Sequence, residues 1–398
     1  MLYLAKGSFW TGFSQSIASV LSLVLIIAFA NLLPKETYGM YRYILSIAGI
    51  LNIFTLTGMN NAVAQSVATG RDGVLKPAVI YQLKWNLLML GAFFVISGYY
   101  FLQDDTTLAL SYFILGLFVP FTLAFNTYGS YLEGKKKFRD ANIFGTFSTL
   151  TYSIGMLITL FLTDTVVWIV AIYALSTFIP SLISYIYVIR TYKPPTAINV
   201  SDTLKYGREL TYLRLIDPVI SQIDKIILGH FWGPVQLATY ALAQAIPNRV
   251  MLLIKSWVAI GFPKFSEKTP EKINTVFYTR IFQGMFLGLI IAILYILLAP
   301  YLFKYVLPQY LESIFYSQLL AISLIVGLPN RYISLLFTSQ KLSRLLFKRT
   351  LIISAVNVLL YVVLGIAGGL LGLVIANIAS AVIGLLLNIV MWRTFSKS

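Results

Sequence analysis

The sequence predicts an all-α polytopic membrane protein of about 12 transmembrane helices, arranged as two six-helix lobes around a central cavity. Three observations carry that expectation: an apolar composition, a regular series of apolar runs, and basic residues confined to alternate sides of that series. Of the 398 residues, 58% are hydrophobic and 11% charged. Mean hydropathy is +0.81, well beyond the balance of a soluble domain. A helix crossing ~30 Å of hydrocarbon needs about 20 apolar residues. Runs of that order lie near 9–33, 41–63, 83–103, 107–132, 141–163 and 165–190. Six more lie near 210–232, 235–262, 276–303, 310–339, 346–367 and 370–392.

Between the runs, every second gap is crowded with Lys and Arg. The crowded gaps hold 22 basic residues, including Lys6, Lys135, Lys136, Lys137, Arg190, Lys264, Arg344, Lys348, Arg349 and Arg393. The intervening gaps hold 3: Lys35, Arg42 and Lys304. Cytoplasmic loops carry the excess, so the crowded side is expected to be cytoplasm and both termini to lie inside. Such a chain belongs in a bacterial cytoplasmic (inner) membrane. Lys6, the apolar run and Ala28-Phe29-Ala30 mimic a cleavable secretory signal. The run is as long as a full span, however, so it is expected to stay uncleaved.

The net charge of +16 is thereby explained by topology and anionic lipid rather than by nucleic acid. Cysteine is absent, which removes disulfides and thiolate metal sites. No HExxH, Cys/His cluster or nucleophile–base pair is present, so neither an enzyme nor a metal centre is expected. Gly129 to Lys136 nearly spells a phosphate loop, but Lys136 stands where Ser or Thr should bind Mg²⁺. Asp104-Asp105 reads as a solvated turn. His230, the lone histidine, reads as a residue at the end of its span.

The longest polar stretch, 191–209, contains Pro194-Pro195 and falls between the sixth and seventh runs. It is expected to link an N-terminal lobe, 1–192, to a C-terminal lobe, 210–398, through residues 193–209. A weak repeat supports the division. Leu33-Pro34-Lys35 through Tyr41 after the first run matches Gly233-Pro234-Val235 through Tyr240 after the seventh, a one-residue gap aligning the Pro and the Tyr of each. Parallel repeats place a substrate site at their interface.

Polar side chains within spans mark the faces that would line it. In the seventh run Arg214, Asp217, Ser221, Asp224 and Lys225 fall within an arc of roughly 100° on one continuous helix, with Pro218 kinking its middle. In the eighth, Tyr240, Gln244, Asn248 and Lys255 share a face, and Arg249 points elsewhere. The first run has Ser8, Thr11, Gln15, Ser19 and Ser22; the second has Thr57, Asn61 and Gln65. Ser323, Asn330 and Ser334 form a shorter patch beside Pro329 and Arg331. A structural reading competes: Arg214 and Asp217 pair at i, i+3, Lys255 snorkels to the interface, and polar groups glue helices together. Four helices sharing the pattern favour a solvated cavity. Arg214, Lys225, Arg249, Lys255 and Arg331 outnumber Asp217 and Asp224 on its wall, which suits an anionic substrate.

Lys6-Gly7-Ser8-Phe9-Trp10, leading to Asn31-Leu32-Leu33-Pro34-Lys35-Glu36-Thr37-Tyr38-Gly39, resembles the opening of the polysaccharide transporter family. These are the Wzx-type oligosaccharide flippases of the multidrug/oligosaccharidyl-lipid/polysaccharide (MOP) exporter superfamily. Ile223-Asp224-Lys225-Ile226-Ile227-Leu228-Gly229 with Tyr240-Ala241-Leu242-Ala243, and Glu133 through Arg139, are similar to other stretches of that family. The resemblance implies a MATE-like fold whose V-shaped cavity opens alternately inward and outward. It implies a cargo, an undecaprenyl-pyrophosphate-linked oligosaccharide repeat unit moved from inner to outer leaflet for O-antigen, capsule or exopolysaccharide synthesis. Arg214, Lys225, Arg249, Lys255 and Arg331 would then meet pyrophosphate. Gln15, Asn61, Gln65, Ser221, Tyr240, Gln244 and Asn248 would meet sugar, and Asp217 and Asp224 would pair charge or couple an ion. A proton or Na⁺ gradient or the membrane potential would drive transport without a cofactor. A polysaccharide polymerase and a chain-length regulator would be partners besides membrane lipid. Two other readings stay open: a cation-coupled multidrug exporter of the same fold, and a membrane polymerase or glycosyltransferase.

Overall fold

Residues this apolar, without water to pair their backbone, must close their hydrogen bonds within each segment, and helices do that. The computed structural model describes residues 2–195, 200–260, 270–340 and 342–397, with side chains for 9–195, 200–252, 274–340, 342 and 344–395. Every long element among them is a helix. In chain order these are α1 (Leu2–Leu32), α2 (Lys35–Leu51), α3 (Met59–Ala68), α4 (Leu75–Leu102), α5 (Thr106–Phe125), α6 (Thr127–Gly134), α7 (Phe138–Leu162) and α8 (Val166–Tyr192). Then follow α9 (Ser201–Tyr212), α10 (Asp217–Phe231), α11 (Pro234–Ile260), α12 (Pro270–Val306), α13 (Ser313–Ala321), α14 (Ser323–Ser339) and α15 (Ser343–Lys397). Eight helical stretches among the described residues are long and apolar enough to cross a membrane, and a bent pair makes a ninth. Their outward faces are apolar: Leu102 is 82% exposed and Leu162 79%. Only a hydrocarbon solvent accommodates such a surface at no cost. The protein is an all-helical, multi-pass membrane protein.

Several expected spans are interrupted, each for a local reason. The second is bent by 55° between Lys35–Phe54 and Met59–Ala68. At the break Thr55 donates both its N–H (3.1 Å) and its hydroxyl (2.9 Å) to the Asn52 carbonyl, closing the helix early. The tenth divides at Ile322 into α13 and α14. The last two are the arms of α15 on either side of Gly369, at φ 55°. A side chain is disfavoured there by backbone conformation and would also strike the Trp232 ring at 2.8 Å. The Trp232 indole N–H binds the Gly365 carbonyl at 3.1 Å, fixing the turn that the sequence places at 367–370.

The seventh run departs most from expectation. It is not one helix from 210: α9 ends at Tyr212, residues 213–216 form a turn, and α10 begins at Asp217. Pro218 therefore sits in the first turn of α10, where no intrahelical donor is lost, instead of kinking a helix middle. The stretch read as a polar linker also contains α9. Its buried face is Thr203, Gly207 and Thr211, a stripe of small residues that hydropathy does not register.

The helices group into two compact units, Met1–Gln222 and Ile223–Ser398. In the first, several buried polar side chains join neighbouring helices. Gln82 donates to Thr127 (2.7 Å), Thr127 to Asn60 (3.0 Å), Asn86 to the Pro120 carbonyl (2.6 Å) and Ser181 to Asn126 (2.8 Å). Helix α9 lies on α3 through paired hydroxyls of Ser66 and Thr203 at 2.5 Å and through the Gly58 N–H on Thr211 Oγ1 at 3.0 Å. In the second unit Ser313 and Ser317 donate to the carbonyls of Thr239 (3.0 Å) and Ala243 (2.7 Å), tying α13 to α11.

The α3–α9 contact depends on a missing side chain. A Cβ at Gly58 would lie 2.6 Å from the Gly207 carbonyl oxygen, the Leu210 Cβ and the Thr211 nitrogen. Gly58→Ala is expected to cost about 1–3 kcal/mol through overpacking and to lower the melting temperature of detergent-purified protein. Gly12→Ala, with nothing within 4 Å, should leave it unchanged or raise it slightly.

Candidate functional site

Five helical segments of the second unit line a cavity of about 320 Å³, α13 through Leu320 alone. Helix α11 contributes Gln244, Pro247, Asn248 and Met251; α14 contributes Ser323, Gly327, Asn330, Arg331 and Ser334. The first arm of α15 brings Arg349, Ile353 and Tyr361, and the second brings Asn377, Ser380, Ala381 and Gly384. Each set follows helical spacing. Positions 349, 353 and 361 differ by multiples of four; 377, 380, 381 and 384 step by three and four, so each set shares a face. Gly327 lets the Met251 side chain pack against α14, since a Cβ there would meet its Cε at 2.2 Å, whereas Gly384 leaves room beside Ile353 and Asn330.

Two guanidinium groups, Arg331 and Arg349, line the cavity, and no carboxylate is among its lining residues. The rest of the polar lining is amide and hydroxyl, which both donate and accept. Arg349 donates from Nε to Asn388 Oδ1. Asn388 donates to Asn330 Oδ1 at 2.8 Å, and Asn330 to the Ala381 carbonyl at 2.9 Å. Arg331 has no hydrogen-bond or ion-pair partner among the described residues and is exposed. On the α15 side, Asn377 donates to the Tyr361 hydroxyl at 3.3 Å, and Ser380 donates to Asn357. Two cations, no carboxylate among the described lining residues and a ring of neutral hydrogen-bonding groups give the cavity a charge and polarity suited to a polar anion. Among the described residues no group of three or more His, Cys, Asp or Glu side chains could hold a metal.

Of the residues singled out from the sequence, Gln244, Asn248 and Arg331 reach this cavity, together with the patch of Ser323, Asn330 and Ser334. Tyr240 does not line it; fully buried, it donates to Asp224 Oδ2 at 3.0 Å. Asp224 is 6% exposed and accepts from the Lys225 backbone N–H at 2.9 Å, with the Lys225 ammonium at 3.7 Å. This is a local neutralised pair. Arg214 lies in the turn between α9 and α10 and is exposed, so it does not share a helical face with Asp217 and Lys225. Asp217 and Ser221 are exposed, Ser221 capping back to the Pro218 carbonyl at 2.9 Å. Arg249 is half-buried on α11 away from the lining, and the Lys255 side chain falls outside the described residues. In the first unit, Gln15 and Asn61 are exposed. Gln65 lines a separate cleft of about 300 Å³ with Arg71, Asp202 and Tyr206.

The sequence reading missed Arg349, Tyr361, Asn377, Ser380 and Asn388. Arg349 was assigned to a cytoplasmic loop; it is half-buried inside α15. The signal was a polar stripe at 377, 380 and 388 in the last run, spaced like those noted elsewhere.

Residues 4–269 match the family model described as polysaccharide biosynthesis protein, a span that includes α11 but not the other walls of the cavity. A curated relative, a putative O-antigen transporter of Shigella flexneri, is 22% identical over 281 residues, about two thirds (66%) of each chain. Among solved structures, an inward-facing multidrug resistance MATE family transporter of the MOP superfamily aligns with TM-score 0.69 and 18% identity, over 96% of each chain. The lipid II flippase MurJ, in an inward closed conformation, aligns with TM-score 0.67 and 17% identity, over 97% of this chain and 87% of that one. These relatives are transporters and flippases, not enzymes, and the two solved structures share this fold. The chain belongs to the polysaccharide biosynthesis protein family, as a multi-pass membrane protein with the fold of MOP-superfamily exporters.

Proposed function

We propose that the protein flips an undecaprenyl-pyrophosphate-linked oligosaccharide repeat unit from the inner to the outer leaflet, by alternating access, for surface polysaccharide synthesis. One observation carries the reading: Arg331 and Arg349 line a cavity that has no carboxylate but is ringed by amides and hydroxyls. Guanidinium groups match phosphoryl oxygens in geometry and charge. Gln244, Asn248, Asn377 and Ser380 offer the donor and acceptor mixture that sugar hydroxyls need. The polyprenyl tail is as apolar as the bilayer and stays in it. Similarity to an O-antigen transporter and the family match support this cargo class.

The remaining candidates keep their roles within this proposal. Arg214, Lys225, Arg249 and Lys255 are further cationic contacts along the route, and Gln15, Asn61, Gln65, Ser221 and Tyr240 polar ones. Asp217 and Asp224 pair charge or couple an ion. The lobes are 1–192 and 210–398, joined by 193–209. Loop charge places both termini in the cytoplasm of a bacterial inner membrane. An inside-negative potential is worth ~2.3 kcal/mol per charge per 100 mV and favours export of an anion; a proton or Na⁺ gradient is the other source. A polymerase and a chain-length regulator would receive the product.

Deleting the gene in its host and digesting spheroplasts with an external glycosidase tests the reading. Repeat units protected in the inner leaflet, with surface polymer lost, are the expected result. Unpolymerised units outside would indicate a polymerase instead, and unchanged glycan a multidrug exporter. In the complemented strain, Arg331→Gln with Arg349→Gln should abolish surface polymer while the protein is still inserted at normal levels. Lys225→Glu should be far worse than Lys225→Gln in both melting temperature and polymer yield. It sets a second carboxylate against buried Asp224, and breaking a buried pair costs about 3–5 kcal/mol.

A further inference from the structure

The hydrogen bonds around Arg349 run in one direction, and chemistry leaves them no alternative. A guanidinium only donates. Asn388, which accepts from Arg349 Nε, must therefore present its carbonyl oxygen there. Its amino group is then turned to the other side, where it meets Asn330 Oδ1 at 2.8 Å. Asn330 is fixed in turn, with its amino group on the Ala381 carbonyl at 2.9 Å. The arginine thus sets the orientation of both amides. The relay links α14 to both arms of α15 and ends on backbone.

Asn388 is fully buried, at 0% exposure, and is not itself among the lining residues; it reaches the cavity through Arg349 and Asn330, which are. The bond consumes Nε. Among the described residues the two terminal nitrogens of Arg349 have no partner, and the residue lines the cavity. Arg331, one residue beyond Asn330, lines the same cavity with no partner at all among the described residues. One cation is pinned and its neighbour is loose.

We propose that Asn388, backed by Asn330, is a positioning residue that holds the Arg349 guanidinium in a single orientation. Its two terminal nitrogens then remain for bidentate contact with a phosphoryl group, while Arg331 supplies charge. The proposal rests on the anionic-cargo reading above. It adds that the cavity recognises a phosphoryl group by geometry, through a residue that never touches it. A relay that merely tied helices together would affect stability and not anion selectivity.

The test uses the full chain purified in detergent, titrated calorimetrically with inorganic pyrophosphate and separately with sulfate. Wild type should prefer pyrophosphate. Arg349→Lys, which keeps charge but loses the planar fork, should weaken pyrophosphate about tenfold, the scale of one charge-assisted hydrogen bond, and sulfate less. Asn388→Asp keeps an acceptor for Nε, so the melting temperature should hold. The carboxylate cancels the cation and cannot donate to Asn330, so pyrophosphate affinity should fall at least as far. Asn388→Ser, which loosens the arginine without adding charge, should erode the preference for pyrophosphate over sulfate. The Arg349→Lys/Asn388→Asp double variant should bind no worse than the weaker single one, because both act through one group. Additive losses, or wild-type binding and selectivity in both Asn388 variants while Arg349→Lys is impaired, would overturn the positioning role and leave the anion reading intact. Absence of pyrophosphate binding in wild type, or its persistence in Arg331→Gln/Arg349→Gln, would overturn both.

Discussion

In hydrocarbon there is no water to satisfy a polar group, and the rest of this structure depends on that constraint. It dictates helices for the backbone, and it also decides what buried side-chain amides and hydroxyls do. Gln82, Thr127, Asn60, Asn86, Ser181, Ser313 and Ser317 each find a partner on a neighbouring element, often a backbone carbonyl. Each such bond contributes modestly, about 0.6 kcal/mol on average between membrane helices. Leaving one unmade costs more, so the bonds specify which helices meet more than they stabilise the meeting.

Close approach is the second consequence. With lipid tails as apolar as Leu, helices associate by packing, and small residues let backbones come near. The α3–α9 contact shows this most directly: Gly58, Gly207, Thr203 and Thr211 bring a polar-looking segment into the fold. The same economy of bulk shapes the cavity, where Gly327 and Gly384 stand among larger neighbours. Backbone that could not otherwise approach forms the contact in one case, and space that would otherwise be filled stays open in the other.

Against this background Arg331 and Arg349 stand out, because a cation on a membrane-spanning helix is costly, up to ~2.5–3.5 kcal/mol at the helix centre even on the mildest scale. Asp224 and Lys225 offset that cost by pairing with each other, with Tyr240 completing the carboxylate's bonds. Among the described residues the two arginines have no such partner. Arg349 is neutralised by no acid and held by an amide, which fixes its position without cancelling its charge. That distinction separates a charge cancelled within the fold from a charge held in place uncancelled.

The sequence by itself determined the solvent and the elements. Apolar runs of spanning length, alternating basic loops and turn residues such as Gly369 specify helices in a membrane, because those properties are local and periodic. It also named part of the site, since Gln244, Asn248 and Arg331 lie on polar faces that helical spacing exposes. Periodicity gives the faces of single helices and not which face meets which. Arg349 therefore read as one more loop cation, although the fold brings it against Asn388, 39 residues away. Arg214 and Lys225 read as one face until the turn at 213–216 separated them. Whether a charge is paired, pinned or free depends on hydrogen bonds between segments far apart in the chain, and only the tertiary structure decides those.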